Sequence, residues 1–379
     1  MEEESGTATS LEEIKRLGVG KCCSTAHDAM EQYALNSLED IDVYEHNYKS
    51  LSSCHKRLVP GFLSRMADVR KCVELNNGIM KKILAFHRAN YVALARSEGS
   101  SDMDECCYEC CGLTPEDRGR HARPAQQSTT ENLFKQFFRE WSVEGAKERK
   151  ECFQPALDMC QKYLPPTPGN KYKVLAPGAG LGRLSWDLAT MGYSEVSACE
   201  CNHEMLLCMQ YMLGSTFAPG SFDVYPFASV TSDLRDNTQT FKASVPDVQI
   251  TEEIRKRVII SPDDFVSHCE SLPTREGTYD LLVTCFFIDT AFNILDYIEV
   301  ATDAIRPGGL WINIGPVHWV QSSYDSLHLT IEEIEGAMTT AGFTFLEKKD
   351  LFNNNYCTPP NTFSPMIYNC RLWVARLNN

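Results

Sequence analysis

The chain has 379 residues, 43% of them hydrophobic, and a formal net charge of -15. That length and apolar share suit a large catalytic domain plus an extension. The acidic balance argues against a nucleic-acid or membrane-surface protein, which would carry a basic face. No apolar run approaches the ~18 residues of a membrane span. Met1-Glu-Glu-Glu-Ser5 lacks the basic and apolar regions of a secretory leader. The chain is therefore expected inside the cell, in the cytoplasm with the nucleus as a second compartment. In a reducing compartment its 17 cysteines should be mostly free thiols.

Taken in order, residues 1–38 read as a polar segment, frayed over roughly the first twenty. Residues 39–95 carry a helical pattern. Phe62, Met66, Val69 and Val73 recur at helical spacing, and Ile79, Ile83 and Phe86 continue it. Pro60 suits a helix start and Gly78 a break. This stretch is expected to cap the core domain. Residues 96–130 read as a flexible linker, poor in apolar residues. Cys106, Cys107, Cys110 and Cys111 lie inside it, with His121 nearby. A zinc site needs two separated pairs, and these are bunched, so no metal is expected and the cysteines read as loop thiols.

A catalytic domain is expected over 131–379. Its first helix has an apolar stripe of Leu133, Phe134, Phe137, Phe138 and Trp141. Gln136 and Arg139 share another face. Such an arginine is either a solvated charge or a clamp for a carboxylate. Val174, Leu175 and Ala176 then read as a buried strand, followed by Gly178, Gly180 and Gly182 and a helix with Leu184 and Leu188 on one face. Strand, glycine turn and helix open a doubly wound sheet, whose ligand crevice lies at the strand's carboxyl end. The spacing G-x-G-x-G is not the dinucleotide G-x-G-x-x-G. A second strand over 195–199 ends in Glu200, 22 residues after Gly178. An acid there can accept from both ribose hydroxyls of a nucleoside; the alternative is a surface glutamate on an ordinary turn.

A helix over 205–213 and an irregular insertion from Tyr225 to about Arg255 follow. Residues 258–260 read as a third strand ending near Asp264-Phe265, a pair suited to adenine: the carboxylate accepts from its exocyclic amine, and the ring or neighbouring backbone covers a face. The fourth strand, 279–285, leads to Asp289, either a helix N-cap or a site acid. Arg306-Pro-Gly-Gly309 reads as a turn before a fifth strand at 310–314. Segments 342–346 and 368–375 should close the sheet as an antiparallel pair.

This order resembles a class I S-adenosylmethionine-dependent methyltransferase, with a Rossmann-like, seven-stranded, mostly parallel sheet and an N-terminal helical extension. More closely, residues 177–184 (PGAGLGRL), 285–291 (CFFIDTA), 307–316 (PGGLWINIGP) and 137–142 (FFREWS) resemble the carnosine N-methyltransferase family. Residues 70–73 (RKCV) and 148–155 (ERKECFQP) fit it too. The resemblance covers about 45–95 and 131–377. It implies S-adenosyl-L-methionine as cofactor. Gln136 and Arg139 would hold its methionine end, with Gly178 letting the backbone approach. Glu200 would take the ribose, Asp264 and Phe265 the adenine, and Cys285 would line the pocket beside the sulfonium. Asp289 and Tyr368 match the family's contacts to an imidazole dipeptide, and Asp289 is the catalytic candidate. The family's histidine after the fifth strand aligns with Val320, while His318 lies two residues earlier; Phe292 lies in a stretch that replaces another family histidine.

The expected reaction is N-methylation of the imidazole of carnosine, giving anserine, or of a related histidine dipeptide. The expected partner is that small molecule, with no nucleic acid or membrane, and a homodimer is open. Methylation of a histidine in a protein, and a non-catalytic cofactor-binding scaffold, are the alternatives.

Overall fold

The computed structural model describes residues 10–19, 24–97, 123–272, 277–320 and 326–378. The cysteine group at 106–111 and His121 lie outside the described residues.

Nine strands are found among the described residues: β1 (Lys173–Pro177), β2 (Glu195–Cys199), β3 (Phe222–Val224), β4 (Ala243–Val245), β5 (Val258–Ser261), β6 (Tyr279–Cys285), β7 (Ile305–Gly315), β8 (Phe343–Asn355) and β9 (Ile367–Leu377). Seven of them form one sheet in the order β5-β2-β1-β6-β7-β9-β8. The pairs from β5 to β7 are parallel, and β9 runs antiparallel to both neighbours. This is the sheet of the class I methyltransferase fold. The central strands read as continuous apolar runs because helices cover both faces. Chain order reverses between β1 and β6, so the ligand crevice belongs at their carboxyl ends.

The helices before the sheet are α1 (Leu11–Arg16), α2 (Ser24–Lys49), α3 (Ser53–Leu58), α4 (Phe62–Ser97), α5 (Arg123–Trp141), α6 (Ala146–Cys152) and α7 (Gln154–Tyr163). Between and after the strands come α8 (Arg183–Met191), α9 (His203–Gly214), α10 (Glu252–Arg255), α11 (Phe265–Glu270), α12 (Ile294–Ala304) and α13 (Ile331–Thr340). None of the described helices is long and apolar enough to cross a membrane.

Several elements depart from the sequence reading. The first twenty residues are not all frayed: Ile14, Leu17 and Val19 are buried, and Arg16 donates to the Arg255 carbonyl at 2.7 Å. Three apolar residues are too few to register as a periodic stripe. Helix α4 runs straight through Gly78, whose Cβ position faces open space, so the missing side chain costs helix propensity without breaking it. The helix expected from Glu131 begins at Arg123, inside the expected linker. The insertion after Tyr225 is not wholly irregular, since β4 pairs with β3. Arg306 to Gly309 lies inside β7, as a bulge opposite the step from Tyr279 to Leu281, with Gly308 at φ +80.

Candidate active site

Each predicted cofactor residue sits at the carboxyl end of a strand or on α5 above it. Gly178 follows β1 at φ +62, and a Cβ there would lie 2.4 Å from the Phe287 ring, so no larger residue fits. Glu200 follows β2. Its carboxylate accepts from the N–H groups of Gly180 and Asn202, both at 2.8 Å. Burial pushes that carboxyl up to about 7, against the pull of those two N–H groups. A buried carboxylate with lone pairs to spare at this point is a ready acceptor for sugar hydroxyls.

Arg139 and Glu140, at the end of α5, line a cavity with Gly178, Phe153, Ser185 and Cys285. Arg139 is 5% exposed, yet its Nε and Nη2 have no hydrogen-bond partner. Among the described residues it forms no ion pair. Its guanidinium lies over the rings of Tyr356 at 4.6 Å, Phe153 at 4.7 Å and Phe286 at 5.3 Å. A cation buried without an anion is costly, and a carboxylate is a group whose geometry can satisfy it. Gln136 donates to the Tyr356 hydroxyl at 3.0 Å. Burial pushes the Cys285 thiol up to about 12, so it lines the cavity protonated and poorly nucleophilic.

Asp264 and Phe265, the pair expected at an adenine, stand in different surroundings. Asp264 caps α11, accepting from the Ser267 N–H at 3.0 Å and the Ser267 hydroxyl at 2.6 Å. Burial works against its charge, but those bonds outweigh it and hold the carboxyl below its ordinary range. The Phe265 ring does not cover a ligand face: it is buried edge-on against Phe287 at 5.8 Å and Tyr297 at 5.2 Å. Of the two expected options, only its backbone remains for the ligand, at the first turn of α11.

Across Phe286 lies a second cluster. Phe286 sits at φ +53, a conformation that a bulky residue rarely adopts. Its ring touches those of Tyr356 at 5.1 Å and Tyr368 at 5.9 Å. Asp289 is 5% exposed, and its Oδ2 accepts from the His318 N–H at 2.9 Å. Burial raises its carboxyl above the ordinary range. The His318 ring lies 5.7 Å from that of Tyr368. Val320 donates its N–H to the Asp289 carbonyl at 3.2 Å but is 58% exposed. His318 and Val320 are both exposed and both bond Asp289 through their backbone N–H, and it is the His318 ring that meets Tyr368.

Three residues were not anticipated. Tyr356 joins the two clusters, packing on both Arg139 and Tyr368. Glu148 holds its strap in place by accepting from the N–H groups of Cys357 and Thr358, both at 2.9 Å. Glu140 accepts from the glycine turn. Tyr356 stands alone in a polar run with no periodicity, so no signal marks it. Glu140 lies inside the 137–142 motif, which was the available clue.

Fold and site together define a class I methyltransferase that uses S-adenosylmethionine. The family model for carnosine N-methyltransferase matches residues 116–379. The chain is 30% identical to the carnosine N-methyltransferase of Dictyostelium discoideum, over 92% of this chain and 74% of that one. It is 28% identical to the rat enzyme of that name, over 98% and 88%. With the Schizosaccharomyces pombe enzyme of that name it shares 28% identity, over 83% of each chain. Among solved structures, the N-methyltransferase NodS of Bradyrhizobium japonicum covers 62% of this chain at 12% identity and a TM-score of 0.37. The chain belongs to the carnosine N-methyltransferase family and is a methyltransferase enzyme.

Proposed function

We propose that the chain methylates a ring nitrogen of the imidazole of carnosine, giving anserine, or of a closely related histidine dipeptide. The observation that carries this reading is Asp289: a buried carboxylate with one oxygen on the His318 N–H, in a cluster with His318 and Tyr368 that the Phe286 ring joins to Arg139. In the cofactor site, Arg139 would face the methionine carboxylate, Gln136 and Tyr356 would border that end, and Glu200 would take the ribose. Asp264 and the Phe265 backbone would hold the adenine. Bound there, S-adenosylmethionine supplies a methyl group on a cationic sulfur.

The chain's own work is positioning and charge. Imidazole has a pKa of about 6.5, so at neutral pH it is mostly uncharged and one ring nitrogen is already a nucleophile. Asp289 accepts the N–H of the other nitrogen and so fixes the tautomer. It also stabilises the positive charge that develops on the ring as the methyl group arrives. Tyr368 and His318 wall the ring so that its lone pair points into the cofactor cavity. Such alignment supplies much of the rate in a displacement.

A histidine within a polypeptide is the second reading. It is favoured by the exposed apolar residues Phe292 and Val320 beside Asp289, at 56% and 58% exposure. A competition assay separates the two: carnosine and a histidine-containing protein, mixed at equal imidazole concentration with labelled cofactor. Label accumulating in the dipeptide supports the first reading. Label in the protein alone supports the second.

A further inference from the structure

The glycine turn that should receive the cofactor already holds an anion. Its N–H groups end at the start of α8, where backbone donors and the helix dipole favour negative charge. In dinucleotide-binding folds the ligand's pyrophosphate takes that place. Here it is taken by a side chain. Glu140 Oε1 and Oε2 accept from the Leu181 N–H at 3.1 and 3.0 Å, and Oε2 accepts from the Arg183 N–H at 3.3 Å. Glu140 is 3% exposed. The approach is close: a Cβ on Gly180 would lie 2.4 Å from Glu140 Oε1, so Gly180 is required by Glu140.

The backbone that carries Glu140 is held as well. Arg183 Nη1 donates to the Glu140 carbonyl at 3.0 Å and to Asp247 at 2.5 Å. Arg149 donates to the Arg139 carbonyl at 3.0 Å and to the same Asp247 at 2.6 Å. The end of α5 is therefore fixed by a buried network, and the Glu140 carboxylate is kept in place by the Leu181 and Arg183 N–H groups. It lines the same cavity as Arg139 and Gly178.

We propose that Glu140 determines cofactor specificity: a built-in anion that occupies the phosphate-accepting donors of the glycine turn and turns away adenosine ligands with phosphate at the 5′ end. A phosphate reaching the turn would meet donors already in use and a like charge in a low-dielectric pocket. An adenosine ligand ending in an amino acid, with no net negative charge, meets neither obstacle. The inference rests on the cofactor reading above, with Glu200 as ribose acceptor.

The test is calorimetry on the full chain with S-adenosylmethionine, S-adenosylhomocysteine and ADP. The wild type should bind S-adenosylhomocysteine at least about a hundredfold more tightly than ADP. Glu140→Gln keeps the shape and removes the charge. It should raise the affinity for ADP relative to S-adenosylhomocysteine by roughly tenfold, the scale of one removed like charge. Glu140→Asp keeps the charge and should keep the wild-type preference. A merely structural Glu140 would weaken all three ligands in parallel, and that result overturns the inference. So does a wild type that binds ADP as tightly as S-adenosylhomocysteine, an outcome that needs no variant to fold. If the wild type binds neither S-adenosyl compound, the cofactor reading and this inference fall together.

Discussion

Arg139 and Glu200 are the two buried charges of the proposed cofactor site, the first without an anion beside it and the second with its carboxyl raised by burial. Both were singled out in the sequence, Arg139 as either a solvated charge or a carboxylate clamp until the family resemblance favoured the clamp, Glu200 from its distance to Gly178. What the sequence did not report is their electrostatic state, because burial is a property of the assembled fold. Burial holds the Glu200 carboxyl at about 7. A ribose acceptor must be ionised, so cofactor binding below that pH expels a proton. Affinity for S-adenosylmethionine should then fall as pH drops through about 7, by up to ~tenfold per unit. Calorimetry between about pH 8 and pH 6 checks this, and Glu200→Gln should remove the slope. A flat wild-type profile contradicts it. The same shift acts on folding with a fixed sign. The folded chain holds the proton to a higher pH than the unfolded chain, whose carboxyl lies near 4.5. Without cofactor, Glu200 therefore costs stability as pH rises from about 4.5 to about 7.

At the scale of elements, the periodic and glycine-marked parts were readable and the connecting parts were not. β1, β2 and β6 are short, largely apolar runs, and they fell where expected. The strap after β8 is polar, carries Cys357 at φ +48, and is fixed by long-range bonds to Glu148 and Glu151. No local pattern encodes such bonds. The loop after β7 lies between these cases: its histidine was visible, its direction was not. The structure turns His318 toward Tyr368 and binds its N–H to Asp289. Tyr368→Phe should therefore raise the Michaelis constant for carnosine by roughly ten- to a hundredfold if a polar contact to the substrate is lost, and His318→Ala, whose side chain is exposed and whose backbone bond to Asp289 alanine keeps, should raise it by less. Steady-state kinetics at saturating cofactor reads this out. An unchanged value in His318→Ala would leave that side chain without a part in substrate binding.

At the scale of the whole molecule, the N-terminal helices are continuous with the catalytic sheet. One hydrophobic cluster runs from Ile14 and Met30 through Phe134 and Val174 to Val374. Asn76 on α4 exchanges two hydrogen bonds with the backbone of Tyr225, at 3.0 and 2.9 Å. The insertion reaches the strap in turn, with Phe363 donating its N–H to the Asp233 carbonyl at 3.0 Å. Helices and insertion thus brace α5 and the strap, the two elements that carry Arg139 and Tyr356.

The proposed role of Asp289 is to orient an imidazole beside the cofactor. Its most direct test pairs two readings of Asp289→Asn: calorimetry for S-adenosylmethionine, and mass spectrometry of carnosine turnover with the methylated atom assigned. The amide keeps the acceptor for the His318 N–H but loses the charge. Cofactor affinity should be unchanged, while imidazole methylation falls by at least ~10²-fold, the lower range for loss of a positioned acid–base group. Full turnover in the variant, or wild-type methylation on an atom outside the imidazole ring, would contradict the account.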